Sequence, residues 1–290
     1  MPSPLRRVAV LTRHDPRITA RSLRELAVEA ERLGLELLVP GDEAAKHGLT
    51  EADGFHTVDD EALRQVDLCL VFGGDGTILR ALGRMLGSGV PTTGVNFGNV
   101  GFLASLQQHD WQAGFERIVR GEYSVIDLLT VEASLNGERY AAVNDIVLAR
   151  LRSQHVLRLV YSVSGTHVGE MLCDGMIVAS PAGSTAYNLS CDGPLVVWDA
   201  EALILNFIAP HSLGFRPLVL RPDHVIEVHN ASPADEAELL ADGSVVGRLC
   251  CGETVSIAAG TEHARLLIRQ DGSFYHNVEE KLFNRMRHGA

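Results

Sequence analysis

One stretch limits the folds open to this chain more than any other, Asp67 to Arg80, reading DLCLVFGGDGTILR. Leu68 to Phe72 is a continuous apolar run of strand length, Gly73, Gly74, Asp75 and Gly76 make a tight turn, and helical spacing begins at Thr77. An apolar run without polar alternation is buried on both faces, as in a parallel sheet covered by helices. Glycines in such a turn let backbone N–H groups come close to a ligand, and a helix N-terminus adds unpaired donors and a positive dipole end. That makes a phosphate cradle with one carboxylate, Asp75, among its donors. The same residues could only reverse the chain, as Asp-Gly turns do, and the turn alone does not choose.

The flanking sequence supplies the sheet. Arg7–Thr12, Leu35–Val39 and Val90–Val95 read as further strands. Helical spacing runs over 18–33, ending at Gly34, over 61–66, over 77–86 and over 107–119, where Trp111, Phe115 and Ile118 share a face. Residues 41–60 are polar and without period, and read as a surface loop. Alternating strands and helices predict a doubly wound parallel sheet, with ligands at the carboxyl ends of its strands. After Gly121 the pattern becomes short strands parted by turn residues, among them a hairpin at Asn136-Gly137. A last helical run covers 274–286. The expected architecture is therefore an α/β domain over 1–122, joined by the tail 272–290, and a β-rich, β-sandwich-like domain over 123–271.

Composition narrows the function. The formal net charge of -12 argues against non-specific nucleic-acid binding, which draws most of its affinity from basic surface. Five cysteines without a CxxC pair suit a reducing compartment rather than a disulfide framework. Cys250-Cys251 falls in a strand-like run, where the two side chains would face opposite ways. No apolar stretch approaches the ~20 residues of a membrane helix, so a cytoplasmic protein without a membrane partner is expected.

Four more stretches are rich in Gly and polar residues: Gly94 to Leu103 (GVNFGNVGFL), Asn144-Asp145 within an apolar strand read as 141–148, Cys173 to Pro194, and Asp242-Gly243-Ser244. Taken singly, each could be a turn, and Ser184 or Thr185 could be a helix N-cap. In this order, together with Pro210 to Leu213 (PHSL) and Arg216 to Leu218 (RPL), they resemble the NAD kinase family over almost the whole chain. Gly-Gly-Asp-Gly by itself is shared with diacylglycerol, sphingosine and 6-phosphofructo-kinases; the Gly183 to Tyr187 loop (GSTAY) separates the NAD kinases from them.

The resemblance implies a phosphotransferase that uses ATP, with Mg²⁺ or another divalent cation, to phosphorylate the 2′-hydroxyl of the adenosine ribose of NAD. It implies Asp75 as general base, and Gly73, Gly74 and Gly76 around the ATP phosphates, in a cleft between the domains. Asn144 and Asp145 would meet the adenosine portion, and Thr185, Ala186, Tyr187, Asn188 and Ser190 would line the NAD site. Asp174 would approach NAD, often across a subunit interface. Arg80 and His155 stand where the family places polar contacts to the dinucleotide. No residue is implied as a protein ligand of a metal. A homodimer or homotetramer is implied, and polyphosphate is a conceivable donor. The chain departs from the family pattern at Cys173, at Ala182, at Ser190 to Pro194 (SCDGP) and at Ser244, and it has Asp145 where many relatives have Glu. A lipid or sugar kinase of the same superfamily and a non-catalytic NAD(P)-binding sensor remain the competing readings.

Overall fold

The computed structural model describes residues 5–98, 101–151, 155–212, 214–233 and 235–283. Asn99 and Val100 of the Gly94 to Leu103 stretch, Leu213, and 284–286 of the last helical run lie outside these residues. The chain forms two compact units, one of 1–127 with 264–290 and one of 128–263.

The first unit runs β1 (Arg7–Thr12), α1 (Pro16–Leu33), β2 (Glu36–Pro40), α2 (Gly41–His47), β3 (Phe55–Val58), α3 (Asp60–Leu63), β4 (Leu68–Gly73), α4 (Asp75–Met85), β5 (Thr92–Asn96), β6 (Leu106–Gln107), α5 (Trp111–Val119) and β7 (Tyr123–Leu128). Its sheet has the order β3-β2-β1-β4-β5, then the late strand Ala264–Arg269, then β7, with β6 beside β5. The pairs from β3 across to the late strand are parallel. Strand order reverses between β1 and β4, and this is where a doubly wound sheet opens its ligand crevice. The Gly-rich turn follows β4 at that point. Helices cover the sheet because their apolar faces match it. Leu23, Leu26 and Ala30 of α1 are buried, as are Trp111, Phe115 and Ile118 of α5. Trp111 meets Phe72 of β4 edge-on at 5.2 Å between ring centroids.

The second unit runs β8 (Val131–Leu135), β9 (Glu138–Ala142), β10 (Asp145–Arg150), β11 (Leu157–Val163), β12 (Thr166–Cys173), β13 (Gly175–Ala179), α6 (Tyr187–Ser190), β14 (Leu203–Ile208), β15 (Leu218–Leu220), β16 (Ile226–Asn230), β17 (Ala237–Ala241), β18 (Ser244–Leu249) and β19 (Thr254–Ala259). Two antiparallel sheets, β15-β14-β13-β10-β17-β18 and β12-β11-β16-β19-β8-β9, share one core that takes Ile146, Leu148 and Phe207 from the first and Val131, Leu159 and Ile257 from the second. This is the β-sandwich that alternating short strands predict. The Asn136-Gly137 hairpin joins β8 to β9 with φ of 52° and 85°, as a type I′ turn requires. The chain returns to the first unit as β20 (Ala264–Arg269), parallel to β5, and ends with α7 (Phe274–Val278) and a π turn over Glu279–Phe283. The return is thus made by a strand, residues that the sequence reading assigned to the β-rich domain.

Several expected elements differ. Residues 41–60 are not a plain loop. They hold α2, with Asp42 and Glu43 in its first turn, Lys46 and His47 in its last and Gly48 as a left-handed cap, and then β3, anchored by buried Phe55. Dipole-matched charges made this helix look like polar loop sequence. The helix expected from residue 18 starts at Pro16, because Asp15 accepts from Arg17 N and proline suits the first helical position. The one expected from 107 starts at Trp111. The run 125–134 breaks between β7 and β8, and the run 141–148 breaks at Val143 and Asn144. β12, an edge strand with mostly exposed side chains, gave no apolar alternation to read. Cys250 and Cys251 lie past the end of β18, both exposed in a turn.

Candidate functional site

The turn that dominates the sequence is also the start of a helix. Gly73 ends β4, Gly74 is the N-cap of α4 without a side-chain cap bond, and Asp75 is its first residue. The uncapped first turn therefore has N–H groups to offer. It opens on a cavity of ≈ 570 Å³ lined by Gly74, Gly76, Thr77, Arg13, His14 and Arg80. Arg80 also lines an adjoining cavity of ≈ 360 Å³, together with Asp42, Lys46 and Arg84. Donor amides, a helix dipole and cationic side chains around one hollow suit an anionic ligand such as a polyphosphate chain.

Asp75 does not hang free in the hollow. Its Oδ2 accepts from Phe102 N at 2.6 Å and its Oδ1 accepts from Leu103 N at 3.1 Å. Gly101 makes this clamp possible, since a Cβ there would stand 1.9 Å from Oδ1 of Asp75. Lys281 Nζ lies 3.5 Å from Oδ2. A carboxylate offers about four acceptor sites, so it can still receive a hydroxyl proton.

The second cluster is built on β10, β13 and the β17–β18 turn. Asp242 has a positive φ of 48°, and its carboxylate accepts from Val143 N at 2.9 Å, from Asn144 N at 2.7 Å and from Asp145 N at 3.4 Å. Those bonds break the strand expected over 141–148 and hold Asn144 and Asp145 at its bend. The 180–187 loop closes on the same bend. Ser180 Oγ donates to Val143 O at 2.6 Å, Ser180 N donates to Asn144 O at 2.8 Å, and a Cβ on Gly183 would stand 2.1 Å from Asn144 O. The buried Oδ1 of Asn144 has no partner among the described residues. A buried acceptor left unsatisfied costs about 1–3 kcal/mol, so a ligand donor at this point would be rewarded.

Tyr187, the first residue of α6, is 44% exposed and near enough to Asp145 and Asp174 to feel their charges. Its phenol is held above its ordinary range by burial first, then by the charges of Cys191, Asp174 and Asp145. The structure thus brings Asn144, Asp145, Asp174 and Tyr187 together within the second unit. Asp174 is paired with Arg150 at 2.8 Å. Thr185 donates to Ala182 O at 3.1 Å, Ala186 N donates to Gly183 O at 2.9 Å, and Ser190 is exposed. Asn188 is fully buried; its amide donates to Ser184 O and Pro194 O and its Oδ1 accepts from Asn206. It shapes the loop and presents no free amide to a ligand. His155 pairs through Nδ1 with Asp235 at 2.8 Å on an exposed surface. Sequence reasoning missed Asp242 as an anchor, although Asp-Gly with a turn-forming Asp was visible, and it missed Lys281, for which no local signal exists.

Burial, and then the charge of Asp242, pushes the Asp145 carboxyl up to about 7. Burial also raises Asp242, against its backbone bonds. A carboxyl whose folded value stands above its unfolded one binds its proton more tightly when folded. Stability is then greatest below about pH 4, falls as pH rises to about 7, and is level above. Asp145→Asn should remove that loss and stabilise the protein at pH 8 by about 2 kcal/mol or more, with the two proteins converging near pH 4. Urea melts across that range check this, and a variant less stable than wild type at pH 8 would contradict it.

The chain is similar to known proteins along most of its length. The family described as ATP-NAD kinase N-terminal domain matches residues 19–123, and that described as ATP-NAD kinase C-terminal domain matches 143–269. An NAD kinase of Heliobacterium modesticaldum is 34% identical over 227 residues, 77% of this chain and 80% of that protein. One from Moorella thermoacetica is 32% identical over 268 residues, 90% of this chain and 85% of the other. Among solved structures, yeast NADH kinase complexed with NADH superposes with a TM-score of 0.87 at 23% identity, over 98% of this chain and 89% of that one, a likeness of fold. An NAD kinase from Archaeoglobus fulgidus in complex with ATP has a TM-score of 0.75 at 26% identity, over 97% and 98% of the two chains. With both domain matches and these relatives in hand, the chain belongs to the NAD kinase family and is an enzyme, a kinase.

Proposed function

We propose that this kinase transfers the γ-phosphoryl group of Mg–ATP to the 2′-hydroxyl of the adenosine ribose of NAD, giving NADP and ADP. The observation that carries the reading is the placement of Asp75: a clamped carboxylate at the first residue of α4, on the same turn whose uncapped N–H groups open on a hollow with Arg13 and Arg80. Phosphoryl transfer needs positioning and charge neutralisation. The cavity amides and cations would take the donor phosphates, and a divalent cation entering with ATP would neutralise their charge. Asp75 accepts the proton of the ribose hydroxyl as that oxygen attacks the γ-phosphorus, and the bridging oxygen leaves on ADP. Asn144, through its unpartnered Oδ1, together with Asp145 and Tyr187 would hold the adenosine portion of the same NAD. A protonated Asp145 can donate a hydrogen bond as well as accept one. Thr185, Ala186 and Ser190 line that site, and Asp174 approaches it.

The names of the relatives support this reading, as does the ATP held by the Archaeoglobus protein. A homo-oligomeric, cytoplasmic enzyme belongs to the same proposal; no described helix is long and apolar enough to cross a membrane. Purified protein given Mg–ATP and NAD should form NADP, read by an NADP-specific coupled dehydrogenase. A panel exchanging NAD for NADH, sphingosine or fructose 6-phosphate, and ATP for polyphosphate, sets specificity. Tight NADP binding without turnover would replace the reading by the sensor; turnover of a lipid or sugar alone would replace it by the superfamily kinase.

A further inference from the structure

The C-terminal tail is drawn onto Asp75 and its clamp by four contacts. Asn277 Nδ2 donates to Phe102 O at 2.9 Å. The Phe274 ring stacks on that of Phe102 at 6.5 Å between centroids. Lys281 Nζ sits 3.7 Å from the centroid of the Phe102 ring and 3.5 Å from Oδ2 of Asp75. Its side chain is only 12% exposed, against 36% for Asp75. All these residues belong to the first unit. An exposed ion pair contributes ~0–1 kcal/mol, so a surface lysine would merit no comment. Lys281 is different in kind. Its ammonium is largely withdrawn from water, seated on an aromatic face, and its charge bears on the oxygen that also accepts from Phe102 N.

We propose that Lys281 is a positioning residue for the reaction: with Phe102 as its seat, it fixes the Asp75 carboxylate and the 101–103 turn in one arrangement before substrates arrive. This rests on the reading of Asp75 as the base. The carboxylate has one rotatable bond at each end of its Cβ, and two backbone amides alone can follow it if the turn shifts. Lys281 bonds the carboxylate from one side while its stem and the tail hold the turn from the other. The three parts then move only together. A catalytic group displaced by about 1 Å can lose ~10²-fold in rate, so a lysine that touches no substrate can govern turnover.

Lys281→Met, which keeps the length and apolar stem, is expected to lower kcat tenfold or more, with KM for ATP and for NAD within about twofold of wild type. Lys281→Arg, which keeps the charge over the ring, should recover most of the rate. Amide hydrogen exchange at Phe102 and Leu103 should quicken in Lys281→Met and stay slow in Lys281→Arg. A lysine that only stabilised the fold would lower Tm without that split between kcat and KM. Unchanged kcat, or a raised KM for ATP at unchanged kcat (a phosphate ligand instead), overturns the proposal. Should Lys281→Met fail to fold, Phe102→Leu removes the seat and keeps the charge. A kcat several-fold down then supports the proposal, and an unchanged one overturns it. Amide exchange separates the two readings: if wild type makes no NADP, the kinase reading fails, while unchanged exchange at Phe102 and Leu103 in Lys281→Met refutes the clamp by itself.

Discussion

Asp75→Asn is expected to lower kcat by about 10²–10⁴-fold while leaving nucleotide binding largely in place. The substitution keeps the shape of the side chain and removes its ability to take a proton. It also replaces one acceptor oxygen by an NH₂ group, so one of the two amides at Phe102 and Leu103 loses its partner. An unpartnered buried amide costs about 1–3 kcal/mol, and Tm should fall by a few degrees without loss of the fold. Initial rates of NADP formation, with NADP titrated into the variant by calorimetry, separate the two effects. A variant that binds NADP and turns over at the wild-type rate would remove Asp75 from the chemistry and leave it a clamp for the 101–103 turn.

Gly183→Ala should be the most damaging substitution in the second unit. The added Cβ would meet Asn144 O at 2.1 Å, Asn144 C at 2.6 Å and Asn144 Cα at 3.0 Å, all of them backbone. No rotamer can relieve that contact. Either the 180–187 loop lifts, breaking the Ser180 bonds to Val143 and Asn144, or the bend at 143–145 slides off Asp242. Forced overpacking costs typically ~1–3 kcal/mol, and a backbone-to-backbone contact stands at the upper end. Because Asn144 and Tyr187 flank the contact, KM for NAD should rise tenfold or more with ATP little affected. Gly41→Ala, where an added Cβ meets nothing within 4 Å, is the control and should leave Tm and rate unchanged. Equal behaviour of the two variants would mean that the loop is not held as the structure shows.

Strands buried on both faces, such as β1 and β4, announce themselves by unbroken apolar runs, and α1 and α5 by their periodic apolar faces. Elements held by polar contacts do not. α2 carries a buried Glu43 that accepts from Thr12 Oγ1 at 2.7 Å and from Lys46 at 2.7 Å, a network invisible as hydrophobic periodicity. β12 at a sheet edge has few buried side chains to alternate. The bend at 143–144 is imposed by a carboxylate almost a hundred positions away. The Gly-rich turn, the three polar stretches of the second unit and their order were legible, since glycines and buried polar residues are costly in apolar surroundings unless a close approach or a ligand uses them.

Local chemistry therefore determined the buried strands, the amphipathic helices, the doubly wound class, the sandwich and a set of candidate site residues. Asp75 could be named as a candidate base because one carboxylate stood among glycines after a buried strand. Its surroundings are tertiary. Oδ2 and Oδ1 are claimed by amides 27 and 28 positions on, respectively, and Lys281 comes from the far end of the chain. The same holds for Asp145, whose raised pKa comes from burial and from Asp242. Sequence spacing carries short-range periodicity, whereas the partner of a charge is chosen by which strands and loops the packed core brings alongside it.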